Sequence, residues 1–137
     1  MQEIAVRTTS RIQLITIDAE VRSALRREGA GEGIATIFCP HTTAAVIINE
    51  NADPDVAHDI LATLDRLTPR NHPLYRHGEG NSDAHIKACL LGPSVQVLVK
   101  GGEPLLGAWQ SIYFAEFDGP RSRRVFVAFA AAAPLRS

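Results

Sequence analysis

Five histidines stand in this chain of 137 residues, and their surroundings divide them into two groups. His41 follows Pro40 at the end of a β-rich run, His77 lies inside a long polar loop, and His85 sits one turn into a short helix. These are junctions, where rigid structure aims a side chain. Three imidazoles with one position left open are a common protein contribution to a zinc-type catalytic centre. His77 and His85 are eight residues apart across a loop-to-helix junction, a spacing that can bring two rings together, whereas His41 has to arrive from a neighbouring strand. No signature such as HExxH is present, so the metal centre competes with a plainer reading in which these rings cap backbone groups or stack in the core. His58, among Asp59, Ala62 and Asp65, and His72, between Asn71 and Pro73, read as solvated surface residues.

Three further features carry chemical interest. Gly78-Glu79-Gly80-Asn81-Ser82 precedes a helix, where free N–H groups can hold a phosphate or carboxylate. It is not a P-loop, and Glu79 and Asp83 oppose an anion unless a cation intervenes, so a plain loop and N-cap is the competing reading. Cys39 and Cys89 fall on apolar faces and read as small buried hydrophobes. In the run Trp109–Phe117, alternation puts Gln110, Ile112, Phe114 and Glu116 on one face, with bulky apolar groups on both. Glu116 is then a buried carboxylate needing a partner, and Arg121, Arg123 and Arg124 follow after a turn. An ion pair between strands and an arginine grip on phosphate are both open for them.

The elements that must position these groups are legible from pattern. Strands are expected at Glu3–Val6, Ile12–Ile17, Ile34–Cys39, Ala44–Ile48, Val95–Lys100, Trp109–Phe117 and Arg123–Ala131. Asp18 is placed to cap a helix carrying Val21, Ala24 and Leu25. Asp53-Pro54 starts a second, with Val56, Ile60, Leu61, Leu64 and Leu67 as its stripe, and Ser82 caps a third carrying Ile86, Cys89 and Leu90. The polar stretch from Arg70 to Asn81 is of a length more often functional than not. Strand-rich ends with helices inserted predict a single α+β domain over 1–137, a mostly antiparallel sheet or sandwich with two or three packed helices.

Composition excludes several classes. Fourteen Lys and Arg against fifteen Asp and Glu give a net charge of −1, which argues against a general nucleic-acid binder. No apolar run reaches the ~18 residues of a membrane helix. Met1–Arg11 lacks the pattern of a signal peptide, and two cysteines make no disulfide framework, so a cytoplasmic setting is expected.

Taken together, six blocks resemble the YjbQ-like family. They are Cys39-Pro40-His41-Thr42-Thr43-Ala44, Ile48 to Val56, Tyr75-Arg76-His77, Ala84-His85-Ile86-Lys87, Leu106 to Gln110 and Glu116 to Arg121, in the family's order. The resemblance implies a small α+β fold assembling as a homotrimer or a dimer of trimers. It implies a secondary thiamine-phosphate synthase activity, a transferase reaction on a phosphorylated small molecule, with a metal ion or anion in the pocket. Carried over by position, the pocket set is His41, Thr42, Asn49, Glu50, Asp53, His77, His85, Gln110 and Glu116, with Arg123 for an anion. A divalent metal, zinc or magnesium, is expected on His41, His77 and His85, with Lys87 or Arg123 helping to neutralise pyrophosphate. The same parts suit a metal-dependent hydrolase, and a non-catalytic trimeric module that binds a metal or anion is the alternative from another class.

Overall fold

The alternating run near the amino terminus forms β1 (Gln2–Arg7), burying Ile4 and Val6 and turning Glu3 and Ala5 outward. The chain continues through β2 (Gln13–Thr16), α1 (Asp18–Arg27), β3 (Gly33–Phe38), β4 (Ala44–Glu50), α2 (Pro54–Leu67) and α3 (Ser82–Leu91). It ends in β5 (Ser94–Lys100), the two-residue β6 (Glu103–Pro104), β7 (Gln110–Glu116) and β8 (Ser122–Ala131). The computed structural model describes residues 1–134; 135–137, the end of the expected domain, lie outside the described residues.

Every strand pairing is antiparallel. Five strands form one sheet in the order β1-β8-β3-β5-β6, and three form a second in the order β2-β7-β4. The inner faces pack on each other: Val6, Ile37, Val97, Val125 and Val127 of the first sheet meet Val46, Ile112 and Phe114 of the second, with Val21, Ala24 and Leu25 of α1. On the other face of the small sheet, Ala45, Ala115 and Phe117 meet Leu64 of α2 and Ala84 of α3. Alanine on both sides lets α3 lie close to the sheet. The result is an α+β fold of three layers in which β7 is covered on both faces. No helix among the described residues is long and apolar enough to cross a membrane.

Several local expectations give way to tertiary contacts. Asp18 caps nothing; its Oδ1 accepts the Ile112 N–H at 2.8 Å and ties α1 to β7. Asp53 does cap α2, accepting from the Asp55 N–H at 2.9 Å. The N-cap of α3 is Asn81 rather than Ser82, and the Asn81 side chain donates to Asp118 instead of capping. Trp109 precedes β7 and is exposed, as is Cys89. The largest departure is the rotation of α3. Its apolar residues Ile86 and Leu90 face outward, while Asp83 and Lys87 are buried.

The turn Asp118-Gly119-Pro120 leads from β7 in one sheet to β8 in the other, so it closes no hairpin. A Cβ at Gly119 would lie 2.3 Å from the Ser10 carbonyl oxygen and 2.8 Å from Thr8 Oγ1, so only glycine lets the two segments meet. Across this crossing, Arg123 of β8 donates to both oxygens of Glu116 of β7, at 2.7 and 2.6 Å, and to Thr43 Oγ1 at 2.8 Å. The Glu116 carboxylate also accepts from Thr8 Oγ1 and from the Asp118 N–H.

Burial pushes the Glu116 carboxyl up, but Arg123, the Asp118 amide and Thr8 together hold it below the usual glutamate range. Asp83, held by Arg11 and Lys87, and Asp118, held by Asn81 and Arg121, are likewise lowered against the pull of burial. A carboxyl with a lowered folded-state pKa contributes stability above its unfolded value, near 4, and loses it as pH falls through the folded value. Urea unfolding as a function of pH is therefore expected to show a steep loss of stability below about pH 4. Glu116→Gln leaves the Arg123 charge buried without its counter-charge. A loss of about 3–5 kcal/mol is expected near neutrality, with a shallower decline on acidification than in the native chain.

Candidate functional site

His77 and His85 meet edge to face, with ring centres 5.4 Å apart and planes at 84°. The long loop after α2 carries one ring and the first turns of α3 carry the other. A cavity of about 510 Å³ opens beside them, lined by Leu74, Tyr75, Arg76, His77, Ser82, His85 and Ile86. A neighbouring cavity of about 410 Å³ shares Tyr75, His77 and Ser82, so the two read as one cleft along the loop. The loop is held in part by Tyr75, whose hydroxyl donates to the Pro69 carbonyl at 2.8 Å. His77 Nε2 lies 3.6 Å from a Glu79 carboxylate oxygen.

His41 lies elsewhere in the chain's packing. Its Nε2 accepts the Arg124 N–H of β8 at 3.0 Å, in the layer of the large sheet. The exposed Thr42 follows it, but the buried Thr43 is the threonine that bonds Arg123. His58 and His72 are at the surface, beside Asp59 and Tyr75 respectively.

The remaining candidates are separated by strand register. Ala44 pairs with Glu116 at one end of β4, and Glu50 pairs with Gln110 at the other. At about 3.3 Å per residue, those ends are roughly 20 Å apart. Asn49, Glu50, Asp53 and Gln110 therefore cluster at one end and Glu116 at the opposite one, so the full set forms no single pocket within one chain. At their own end these groups make local bonds. Asn49 Oδ1 accepts the Glu50 N–H at 2.7 Å, and Gln110 Oε1 accepts the Gly107 N–H at 2.8 Å.

The two cations expected to meet an anion are both buried and paired. Arg123 is committed to Glu116 and Thr43, and Lys87 donates to Asp65 at 2.5 Å and to Asp83 at 3.2 Å. Sequence reasoning gave no role to Arg11, Asp65 or Asp83. The four-residue spacing of Asp83 and Lys87 on one helix was the available signal, since such pairs face one another. Nothing local pointed to Arg11, which reaches Asp83 with both guanidinium nitrogens across 72 residues of sequence. Arg76, which lines the cavity beside the two imidazoles, stands in the sequence next to His77, and Arg70 lines the neighbouring part of the cleft.

The donor set bears on the expected metal. Two imidazoles suit zinc and suit magnesium poorly, because magnesium prefers oxygen ligands. Among the described residues, no group of three or more His, Cys, Asp or Glu is placed to hold a metal ion. The described residues thus bring two imidazoles together without a third such donor placed beside them.

Burial and the nearby Arg123 charge hold the His41 imidazole below the ordinary histidine value. Because the Arg124 N–H donates to Nε2, the neutral ring must carry its proton on Nδ1. Nitrogen-15 NMR is expected to show that tautomer and a titration midpoint below about 6.5. A depressed histidine contributes stability above its unfolded pKa and loses it on acidification, so His41→Gln should flatten the stability profile between about pH 5 and 7.

Comparison with known proteins agrees with this architecture. The family model described as "UPF0047 protein YjbQ-like" matches residues 2–132. UPF0047 protein YugU of Bacillus subtilis is 47% identical over 127 residues, covering 93% of this chain and 96% of its own. A UPF0047 protein of Methanocaldococcus jannaschii is 51% identical over 122 residues, covering 89% and 88%. Among solved structures, a YjbQ/UPF0047-family protein of Clostridium acetobutylicum superposes with a TM-score of 0.91 at 50% identity, covering 95% of this chain and all of that one. A conserved protein of Thermus thermophilus superposes with a TM-score of 0.89 at 40% identity, covering 95% and 100%. Sequence blocks, three-layer fold and overall similarity converge on one assignment: the chain belongs to the YjbQ-like UPF0047 family.

Proposed function

We propose that the cleft between the 70–80 loop and α3 binds a phosphorylated small molecule with the help of a divalent cation on His77 and His85, and that the protein is an enzyme acting on that molecule. The meeting of the two imidazoles at the wall of the cleft is the observation that carries this reading. Arg76 and Ser82 line the same cleft and offer donors to phosphate oxygens, while Leu74, Tyr75 and Ile86 give the rest of the molecule an apolar wall. The amide groups that open α3 favour an anion at that end. Arg76 replaces Lys87 and Arg123 as the guanidinium or ammonium facing the substrate.

The chemistry that the family resemblance implies joins a pyrimidine-methyl diphosphate to a thiazole phosphate and expels pyrophosphate. Its barrier is charge separation at the leaving group, so the protein must neutralise negative charge rather than supply a strong nucleophile. When bound, a divalent ion would supply that neutralisation by polarising phosphoryl oxygens. His77 and His85 would hold the ion, Arg76 would draw the phosphate in, and Tyr75 would shield one side from water.

A homotrimer or dimer of trimers would complete the ligand set, since His41 or the carboxylates near Glu50 and Asp53 of another copy can supply what one chain lacks. Exposed apolar side chains on the outer face of the large sheet, Ile34, Phe38 and Leu98, favour such assembly. The same shortage of donors supports a second reading, a non-catalytic module whose ion joins chains.

Elemental analysis of untagged protein purified without chelator is expected to find zinc. His85→Ala is expected to abolish thiamine-phosphate formation or phosphate-ester hydrolysis. It should leave the melting temperature nearly unchanged, because the ring is not part of the core. A variant that instead melts early and dissociates, or a native protein inert in both assays, would move the assignment to the module. Light scattering at the mass of one chain would remove the assembly.

A further inference from the structure

An amphipathic helix ordinarily buries its large apolar residues, whereas α3 buries Asp83 and Lys87 beside the small Ala84 and Ala88 and leaves its large apolar residues outside. Asp83 and Lys87 have 0% and 1% of their surfaces exposed, whereas Ile86 and Leu90 keep 37% and 59%. The inversion has an identifiable cause. Arg11, in the segment between β1 and β2, forks onto Asp83 at 2.9 and 3.2 Å. Lys87 donates to Asp83 on its own helix and to Asp65 on α2, and its ammonium lies 6.0 Å from the Phe117 ring centre. Two separate elements thus pull on the same face of one helix.

Helical geometry ties this face to the histidine pair. Residues 83 and 87 share one side, and residue 85, two positions from each, is turned about 200° from either. Holding the charges inward therefore holds His85 outward, toward His77. If burial of the large apolar residues alone chose the rotation, Ile86 and Leu90 would turn to the bearing that Asp83 and Lys87 hold, a rotation of about 60° that would carry His85 away from its partner. We propose that Lys87, acting with Asp83 and Asp65, is a positioning residue for His85: the buried ion cluster sets the rotation of α3 that makes the imidazole pair. Lys87 touches no bound molecule in this role. Its significance for cation binding rests on the reading given under Proposed function, whereas its effect on the ring pair does not.

The test uses the full chain and two readouts, the nuclear Overhauser contact between the His77 and His85 rings and titration with Co²⁺ followed by its visible absorption. Lys87→Met keeps length and apolar contacts and leaves Asp83 paired with Arg11, so the protein is expected to fold. The ring contact should disappear and Co²⁺ affinity should fall at least about tenfold. Lys87→Arg, which restores a charge able to reach Asp65, should recover both. A purely structural lysine would lower the melting temperature and leave the contact and the cobalt spectrum unmoved; that result, or failure of Lys87→Arg to recover either readout in a folded protein, overturns the proposal. If Lys87→Met does not fold, Asp65→Asn decides on the same contact, since it removes only the half-exposed partner: a weakened contact supports the proposal and an unchanged one overturns it. A native protein that shows the ring contact but binds no Co²⁺ would overturn the cation reading while the ring contact still tests the positioning role.

Discussion

The buried pair between Glu116 and Arg123 is the constraint on which the rest of the molecule depends. Glu116 ends the central strand of the small sheet, and Arg123 lies near the start of a strand inside the large one. The segments after β1 and before β4 close on the same point through Thr8 and Thr43. One carboxylate and one guanidinium thus hold two sheets that share no backbone ladder. The arrangement is demanding, because each charge is costly to bury and is tolerable only with its bonding capacity filled. Here the carboxylate accepts four hydrogen bonds, from a guanidinium, a hydroxyl and an amide.

A second ionic cluster, built from Arg11, Asp83, Lys87 and Asp65, performs a similar task one layer outward. It joins α3 to α2 and to the segment between β1 and β2. Buried ion pairs are weak contributors to net stability compared with well-packed apolar groups, but they are selective about orientation. In α3 that selectivity outweighs an apolar stripe of two large residues and a cysteine. The outward stripe then becomes part of the wall of the cleft and of the surface around it, where Leu74, Ile86 and Leu90 are exposed.

Strand rigidity shapes the functional surface as strongly as the ion pairs do. The register of β4 on β7 fixes Glu50 and Gln110 at one end and Glu116 at the other, and no side-chain movement bridges about 20 Å of strand. The residues shared with the family's blocks accordingly form three places in one chain: the imidazole cleft, the Glu116–Arg123 junction and the polar end near Asn49. The first combines an open volume of about 510 Å³ with two imidazoles at its wall, the features of a binding site.

What the sequence by itself determined was local. Period-two alternation and short β-rich or continuous apolar runs identified the strands, Asp53-Pro54 marked the start of α2, and the length and polarity of 70–81 singled out the loop that lines the cleft. Glu116 was recognisable as a buried carboxylate in want of a partner, because alternation put it on a covered face beside an arginine-rich segment. The blocks resembling the family were also legible, since each is a short contiguous string. Tertiary structure decided which charges meet and which way α3 faces. Asp83 read as a carboxylate opposing an anion and Lys87 as a cation for pyrophosphate; Arg11 and Asp65, arriving from distant segments, bury both instead. The Ile86–Leu90 stripe read as core for the same reason, that periodicity reports which residues share a face and not which face turns inward. The direction is set by partners far apart in sequence, and with it the position of His85.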